Sequence, residues 1–174
     1  SAKGAQWGVA YGLEVPLWFA PQGVKDEFSW RRSTDFEHVA NEVKTVRERV
    51  GLMEISSFAK YRVTGQGADA WLDRLLACKL PAPGRMTLAP MLKEDGKLIG
   101  DFTLANLGTD QAGRAEWFIA GSGVAEQYHM RWFEKHLPAD GSVTIEALGL
   151  SRVGLAIAGP NARMLLAKVT RADV

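Results

Sequence analysis

Residues 90–108, PMLKEDGKLIGDFTLANLG, place two apolar runs on either side of Asp95-Gly96. Asp-Gly between strand-like runs is a hairpin signal. The stretch therefore predicts two antiparallel strands, Thr87 to Leu92 and Leu98 to Leu107. The second strand carries a lone acid, Asp101, between Gly100 and Phe102. Both Asp and Gly weaken a strand, so their placement asks for a reason. Strict alternation puts Ile99, Asp101 and Thr103 on one face, and Leu98, Gly100, Phe102 and Leu104 on the other. With the Ile99 face covered, Asp101 is an acid in a partly apolar setting. Desolvation then raises its pKa, and Gly100 lets a flat ligand approach the backbone. With the other face covered, Asp101 meets water. The pattern leaves both arrangements open.

Outward from the hairpin, helices alternate with short strands. Thr34 and Glu37 have capping-box spacing. Phe36, Val39, Val43, Val46 and Val50 form one apolar stripe at helical period, and Gly51 suits the position just past the helix end. Leu52 to Ser57 and Lys60 to Val63 read as strands. Ala68, Trp71, Leu72, Leu75 and Leu76 mark a second helix. Trp117 to Ala120 is a strand, and a helix runs from Gly121-Ser122-Gly123 to His136. Val143 to Ala147 and Val153 to Ala158 close the set of strands before a last helix from Asn161. Hairpin strands between single helices predict an α+β fold: an antiparallel sheet with helices packed on one side. Residues 1–32, rich in Gly, Pro and aromatics (Trp7, Tyr11, Trp18, Phe19, Phe28, Trp30), read as an extended arm ahead of a domain over 33–174. The start Ser1-Ala2-Lys3 and the uncapped end at Val174 suggest a piece of something longer.

Apolar residues make up 47% and charged residues 24% of the 174, which is enough to build a core. A formal net charge of +1 lacks the basic excess that nucleic acid demands. No apolar run approaches the roughly 18 residues of a membrane helix. The single cysteine, Cys78, lies on an apolar helical pattern and reads as a small core residue. A soluble, reducing compartment is expected: the cytoplasm, or the mitochondrial matrix in a eukaryote.

Two further motifs invite chemistry and fall short of it. Gly121-Ser122-Gly123 imitates the start of a dinucleotide fingerprint, but Glu126 occupies the third glycine position and the later acidic strand is missing. A glycine-eased helix start is the simpler reading. His129 and His136 are seven apart, where zinc ligands on one helix want three or four, so no metal is expected.

Several stretches taken in order resemble a known family. They are YGLEVPLWF (11–19), VRERVGLMEIS (46–56), Met91-Leu92 through Gly100-Asp101-Phe102-Thr103, and IAGPNA (157–162). The chain resembles the folate-binding aminomethyltransferase domain typified by the glycine cleavage T-protein. It is most similar to the version fused to a flavin domain in dimethylglycine and sarcosine dehydrogenases. The resemblance implies the N-terminal part of that fold, and tetrahydrofolate as the bound cofactor. It also implies transfer of a one-carbon unit from an N-methyl amine-derived iminium to tetrahydrofolate. Asp101 matches the family's key carboxylate and is the expected catalytic residue. Gly100 stands where T-proteins often carry a second acid. Leu88 stands at a family tyrosine and Ser122 at a family asparagine, so both depart from the T-protein pattern of hydrogen bonds. Leu88, Met91 and Ala120 are expected to wall a folate cavity, with ordinary core packing as the competing reading. The implied partners are folate, an amine substrate, and a flavin domain and second lobe outside this chain, with FAD held there. The isolated chain is expected to be inactive. The rival readings are a non-catalytic folate-binding or scaffold module of the same fold, and a demethylase for another methylated substrate.

Overall fold

The computed structural model describes residues 3–10 and 12–173. Tyr11, one of the aromatics read into the arm, and residue 174 lie outside them. The chain divides into two compact units, Ser1–Met53 with Ile157–Val174, and Glu54–Ala156.

In the first unit, β1 (Ala5–Ala10) and β2 (Leu13–Phe19) pair as an antiparallel hairpin. The aromatic stretch is thus folded strand on strand, with Trp18 buried and stacked on the His38 ring at a centroid distance of 5.3 Å. Helix α1 spans Phe36–Glu48. The capping box is not made. The Thr34 hydroxyl instead accepts from the Glu27 amide at 3.0 Å and donates to the Glu27 carbonyl at 3.3 Å, and Asp35 takes the N-cap position. Gly51 does not end the helix either. The Arg49 carbonyl is taken by the Asn161 amide at 2.9 Å, and Gly51 opens β3 (Gly51–Glu54). The apolar stripe of α1 exists as read, but no residue of the helix is buried. β3 pairs with β9 (Leu155–Ala158), and α4 covers Ala162–Val169.

The second unit is a five-stranded sheet in the order β5-β6-β7-β4-β8. Its strands are β4 (Ala59–Gly65), β5 (Met86–Leu92), β6 (Leu98–Thr109), β7 (Ala115–Gly121) and β8 (Thr144–Ala147). Every neighbouring pair is antiparallel. One face carries Tyr61 and Val63 from β4, Ala89 and Met91 from β5, Phe102 and Leu104 from β6, and Trp117 and Ile119 from β7, all at most 1% exposed. Helix α2 (Ala68–Leu75) adds Ala68, Trp71 and Leu72 to that core, and α3 (Glu126–Lys135) adds His129 and Phe133. Burial of each large apolar side chain contributes about 1.5–3 kcal/mol relative to exposure. Two indole N–H groups are satisfied at its edges. Trp117 donates to Asp69 Oδ1 at 2.8 Å, and Trp71 to the His136 carbonyl at 2.7 Å. Cys78 packs against this core, and burial pushes its thiol up, as suits a small apolar residue.

The hairpin of β5 and β6 holds one irregularity. Met91 faces Gly100, but Leu92 faces Leu98, which leaves Ile99 without a partner on β5. This is a β-bulge, and it breaks the alternation on which the sequence reading relied. Ile99 and Gly100 are both buried, and Asp101 is exposed. The covered face is therefore the one of Gly100, Phe102 and Leu104.

Candidate functional site

The uncovered face of the sheet collects residues of opposite parity. Leu88 on β5 faces Thr103 on β6, Thr103 faces Ala120 on β7, and Ala120 faces Lys60 on β4. Leu88 is 70% exposed, and Thr103 and Ala120 are half-buried. Asp101 lies one pleat along, opposite Pro90. Continuing the β6–β7 register by two residues brings Ser122, which is exposed, opposite Asp101. Among the described residues, the Asp101 carboxylate makes no hydrogen bond or ion pair. A strand acid with no structural partner is available for a ligand.

At the far end of the row, Lys60 is buried, and its Nζ donates to the carbonyls of Ser56 and Phe58, each at 2.7 Å. It holds the turn that precedes β4. One further strand row out, Arg62 pairs with Glu116 at 2.7 Å on the same face.

Of the six residues expected from sequence, Asp101, Leu88, Ala120 and Ser122 share this face or its margin, and Met91 and Gly100 do not. Met91 is fully buried in the core on the other side. A Cβ on Gly100 would lie 2.5 Å from the Phe102 ring and 2.8 Å from His129 Nε2. Glycine there makes room for an aromatic ring and an imidazole, and the expected close approach of a flat ligand gives way to that packing. Gly121, on the neighbouring strand, clears the other edge of the same Phe102 ring. Asp101 is exposed on the open face, so of the two arrangements the pattern left open, the one in which the acid meets water is found.

Gly123 begins a 3-10 turn, Gly123–Ala125, packed directly on the Ser57 carbonyl. With Glu126 opening α3, these residues do not fit a flavin or nicotinamide dinucleotide.

Behind the hairpin sits a group that the histidine spacing concealed. His129 is 2% exposed and wedged between Tyr61, Phe102 and Gly100. The Tyr61 hydroxyl lies 3.3 Å from His129 Nδ1 and 3.3 Å from the Glu126 carbonyl. Burial pulls the pKa of His129 down, against a smaller upward pull from the nearby Ile99 backbone. The same burial pushes the Tyr61 phenol up. The available signal was that His129 stands one turn before the apolar Phe133 on the core side of its helix.

A five-stranded antiparallel sheet, covered by two helices on one face and offering an unpaired carboxylate on the other, defines an α+β domain of the aminomethyltransferase type. The family description GCVT N-terminal domain matches residues 1–174, and the chain belongs to that family. It is 32% identical over 170 residues to human dimethylglycine dehydrogenase, mitochondrial, covering 96% of this chain and 19% of the relative. It is 30% identical over 183 residues to the mouse pyruvate dehydrogenase phosphatase regulatory subunit, mitochondrial, covering 99% of this chain and 20% of the relative. The glycine cleavage system aminomethyltransferase T from Bartonella henselae superposes with a TM-score of 0.72 at 25% identity, over 96% of this chain and 40% of that one. The chain thus spans about a fifth of the length of these curated relatives. No helix among the described residues is long and apolar enough to cross a membrane.

Proposed function

We propose that the open face around Asp101 receives the pterin of tetrahydrofolate. The domain would then capture a one-carbon unit released when an N-methyl amino acid, of the dimethylglycine or sarcosine type, is oxidised at a flavin elsewhere in a longer polypeptide. The observation that carries this reading is the unpaired carboxylate beside exposed apolar surface on a sheet face that the unit's own helices leave bare. A flat, partly polar heterocycle suits such a face. Leu88 and Ala120 offer apolar surface to ring atoms, the Thr103 hydroxyl sits between them, and the Asp101 carboxylate accepts N–H donors. Charge-assisted bonds of that kind are about twice as strong as neutral ones. When bound, tetrahydrofolate supplies the nitrogen that takes up the carbon unit. The contribution of this chain is to hold the ring in place and to take the proton at the Asp101 carboxylate, a role worth about 10²–10⁴-fold in rate. The mitochondrial relatives support a matrix location in a eukaryotic setting.

The test is Asp101→Ala in a flavin-linked enzyme of the relatives' length that carries this domain, with both amine oxidation and methylenetetrahydrofolate yield measured. Retained oxidation with lost capture is the expected result. An unchanged yield overturns the assignment. A second reading, a non-catalytic module of the same fold, is supported by the regulatory subunit among the relatives. It predicts that tetrahydrofolate has no effect on any carbon transfer.

A further inference from the structure

We propose that Lys60 is a positioning residue for Ser122, and that the Ser122 hydroxyl holds the ring together with Asp101. The inference rests on the folate reading above and adds a residue to it. A lysine that is 5% exposed costs free energy unless its charge is well bonded. Among the described residues, no acid lies within ion-pair distance of Lys60. Its Nζ is held instead by two neutral carbonyls, those of Ser56 and Phe58, each at 2.7 Å. The carbonyl between them, that of Ser57, is the seat of the turn from β7 into α3, because a Cβ on Gly123 would overlap its oxygen. Three consecutive carbonyls thus link the Lys60 side chain to Gly123.

Ser122 directly precedes that glycine. Its backbone is extended (φ −65°, ψ 121°), so it prolongs β7 past the last pair with β4, Gly121 with Ala59. In the β6–β7 register it falls opposite Asp101. Its hydroxyl caps no helix end and is exposed. Two polar side chains one strand spacing apart, about 5 Å, suit one edge of a flat heterocycle. The carboxylate accepts from a ring N–H, and the hydroxyl donates to a ring nitrogen or oxo group. The far side of the supporting turn is tied separately. The Ile55 amide donates to the Gly154 carbonyl at 2.8 Å, and the Gly154 amide to the Ser56 hydroxyl at 3.0 Å. Those bonds fix the start of the turn, and Lys60 spans it from Ser56 to Phe58. Loss of the Lys60 bonds frees the seat of Gly123 and shifts Ser122, while Asp101, on a different strand, keeps its place. Lys60 touches no substrate.

The experiment uses the same flavin-linked enzyme, with amine oxidation as the check that each variant folds. Methylenetetrahydrofolate formation is followed against tetrahydrofolate concentration, which separates the half-saturating concentration from the yield at saturation. Lys60→Met keeps the stem and removes the ammonium. It is expected to raise the half-saturating concentration about three- to tenfold, the weight of one neutral hydrogen bond, with a parental yield at saturation. Ser122→Ala is expected to do the same. The double variant is expected to shift no further than Ser122→Ala alone, because a misplaced hydroxyl and a missing hydroxyl are equivalent. If Lys60→Met does not fold, Lys60→Gln, too short to span both carbonyls, takes its place. A parental half-saturating concentration in either single variant overturns this proposal alone, as do additive shifts in the double variant. Oxidation and saturated yield that fall together, with no shift in half-saturation, mark a merely structural lysine and overturn it too. A parental yield in Asp101→Ala overturns the folate reading and this proposal with it.

Discussion

The hydroxyl of Tyr61 on β4 and Nδ1 of His129 on α3 lie 3.3 Å apart inside the core of the second unit. They join a strand to the helix that covers it through a polar contact enclosed by Phe102 and Phe133. A buried pair of this kind stabilises only while the imidazole stays neutral. Burial holds the pKa of His129 below its ordinary value of about 6.5. Above that value neither state carries the proton, and the stabilisation is complete. As the pH falls through 6.5, the unfolded chain takes up a proton that the folded chain refuses, so stability drops until the folded imidazole titrates. The acids held below their usual range, Glu54, Asp95, Asp110 and Asp140, lose their contributions only at lower pH. Urea midpoints between pH 7.5 and 5 are expected to decline in the parent and to flatten in His129→Gln. A parental midpoint that stays level over that range contradicts a neutral buried His129.

Tyr61→Phe keeps the ring and removes the hydroxyl. His129 Nδ1 loses its partner and the Glu126 carbonyl loses one, and a buried group left unsatisfied costs about 1–3 kcal/mol. Urea unfolding is expected to report a loss in that range with an unchanged slope. A loss below about 0.5 kcal/mol would mean that water or the helix backbone replaces the bond.

Gly100→Ala tests the packing reason for the glycine beside the acid. The added methyl meets Phe102 Cζ at 2.5 Å, Phe102 Cε2 at 2.7 Å and His129 Nε2 at 2.8 Å. Overpacking of this kind typically costs about 1–3 kcal/mol. A lowered melting temperature with altered aromatic signals from Phe102 is expected. A neutral effect on stability combined with a loss of folate capture would return Gly100 to the ligand side.

Much of this architecture was legible from period and turn chemistry. The Asp95-Gly96 hairpin, the helix after Gly67 and the antiparallel sheet covered on one side follow from local patterns, and local patterns are what the sheet obeys. The face of Asp101 was not legible. Alternation presumes an unbroken ladder, and a single unpaired residue at Ile99 reverses the parity of the strand before the acid. Met91 entered the site through the family resemblance and Gly100 through its place beside the acid, and the register puts both on the covered face. The Thr34–Glu37 box failed for a different reason. A capping hydroxyl competes with any nearby backbone, and Glu27, seven residues away, took it. His129 was weighed only as a metal ligand, because spacing along a helix says nothing about a partner on a distant strand.

Asp101→Asn separates the charge of the acid from its shape. The position is exposed and, among the described residues, its side chain has no partner, so unfolding free energy is expected to change by no more than about 0.5 kcal/mol. Asparagine accepts a hydrogen bond from a ring N–H but does not hold a proton. If the role of Asp101 is to take the proton, carbon capture falls about 10²-fold or more while folate binding changes far less. If its role is to anchor the ring through its charge, binding and capture fall together. Stopped-flow folate binding set beside the methylenetetrahydrofolate yield distinguishes the two, and a variant with parental binding and parental yield removes Asp101 from the chemistry.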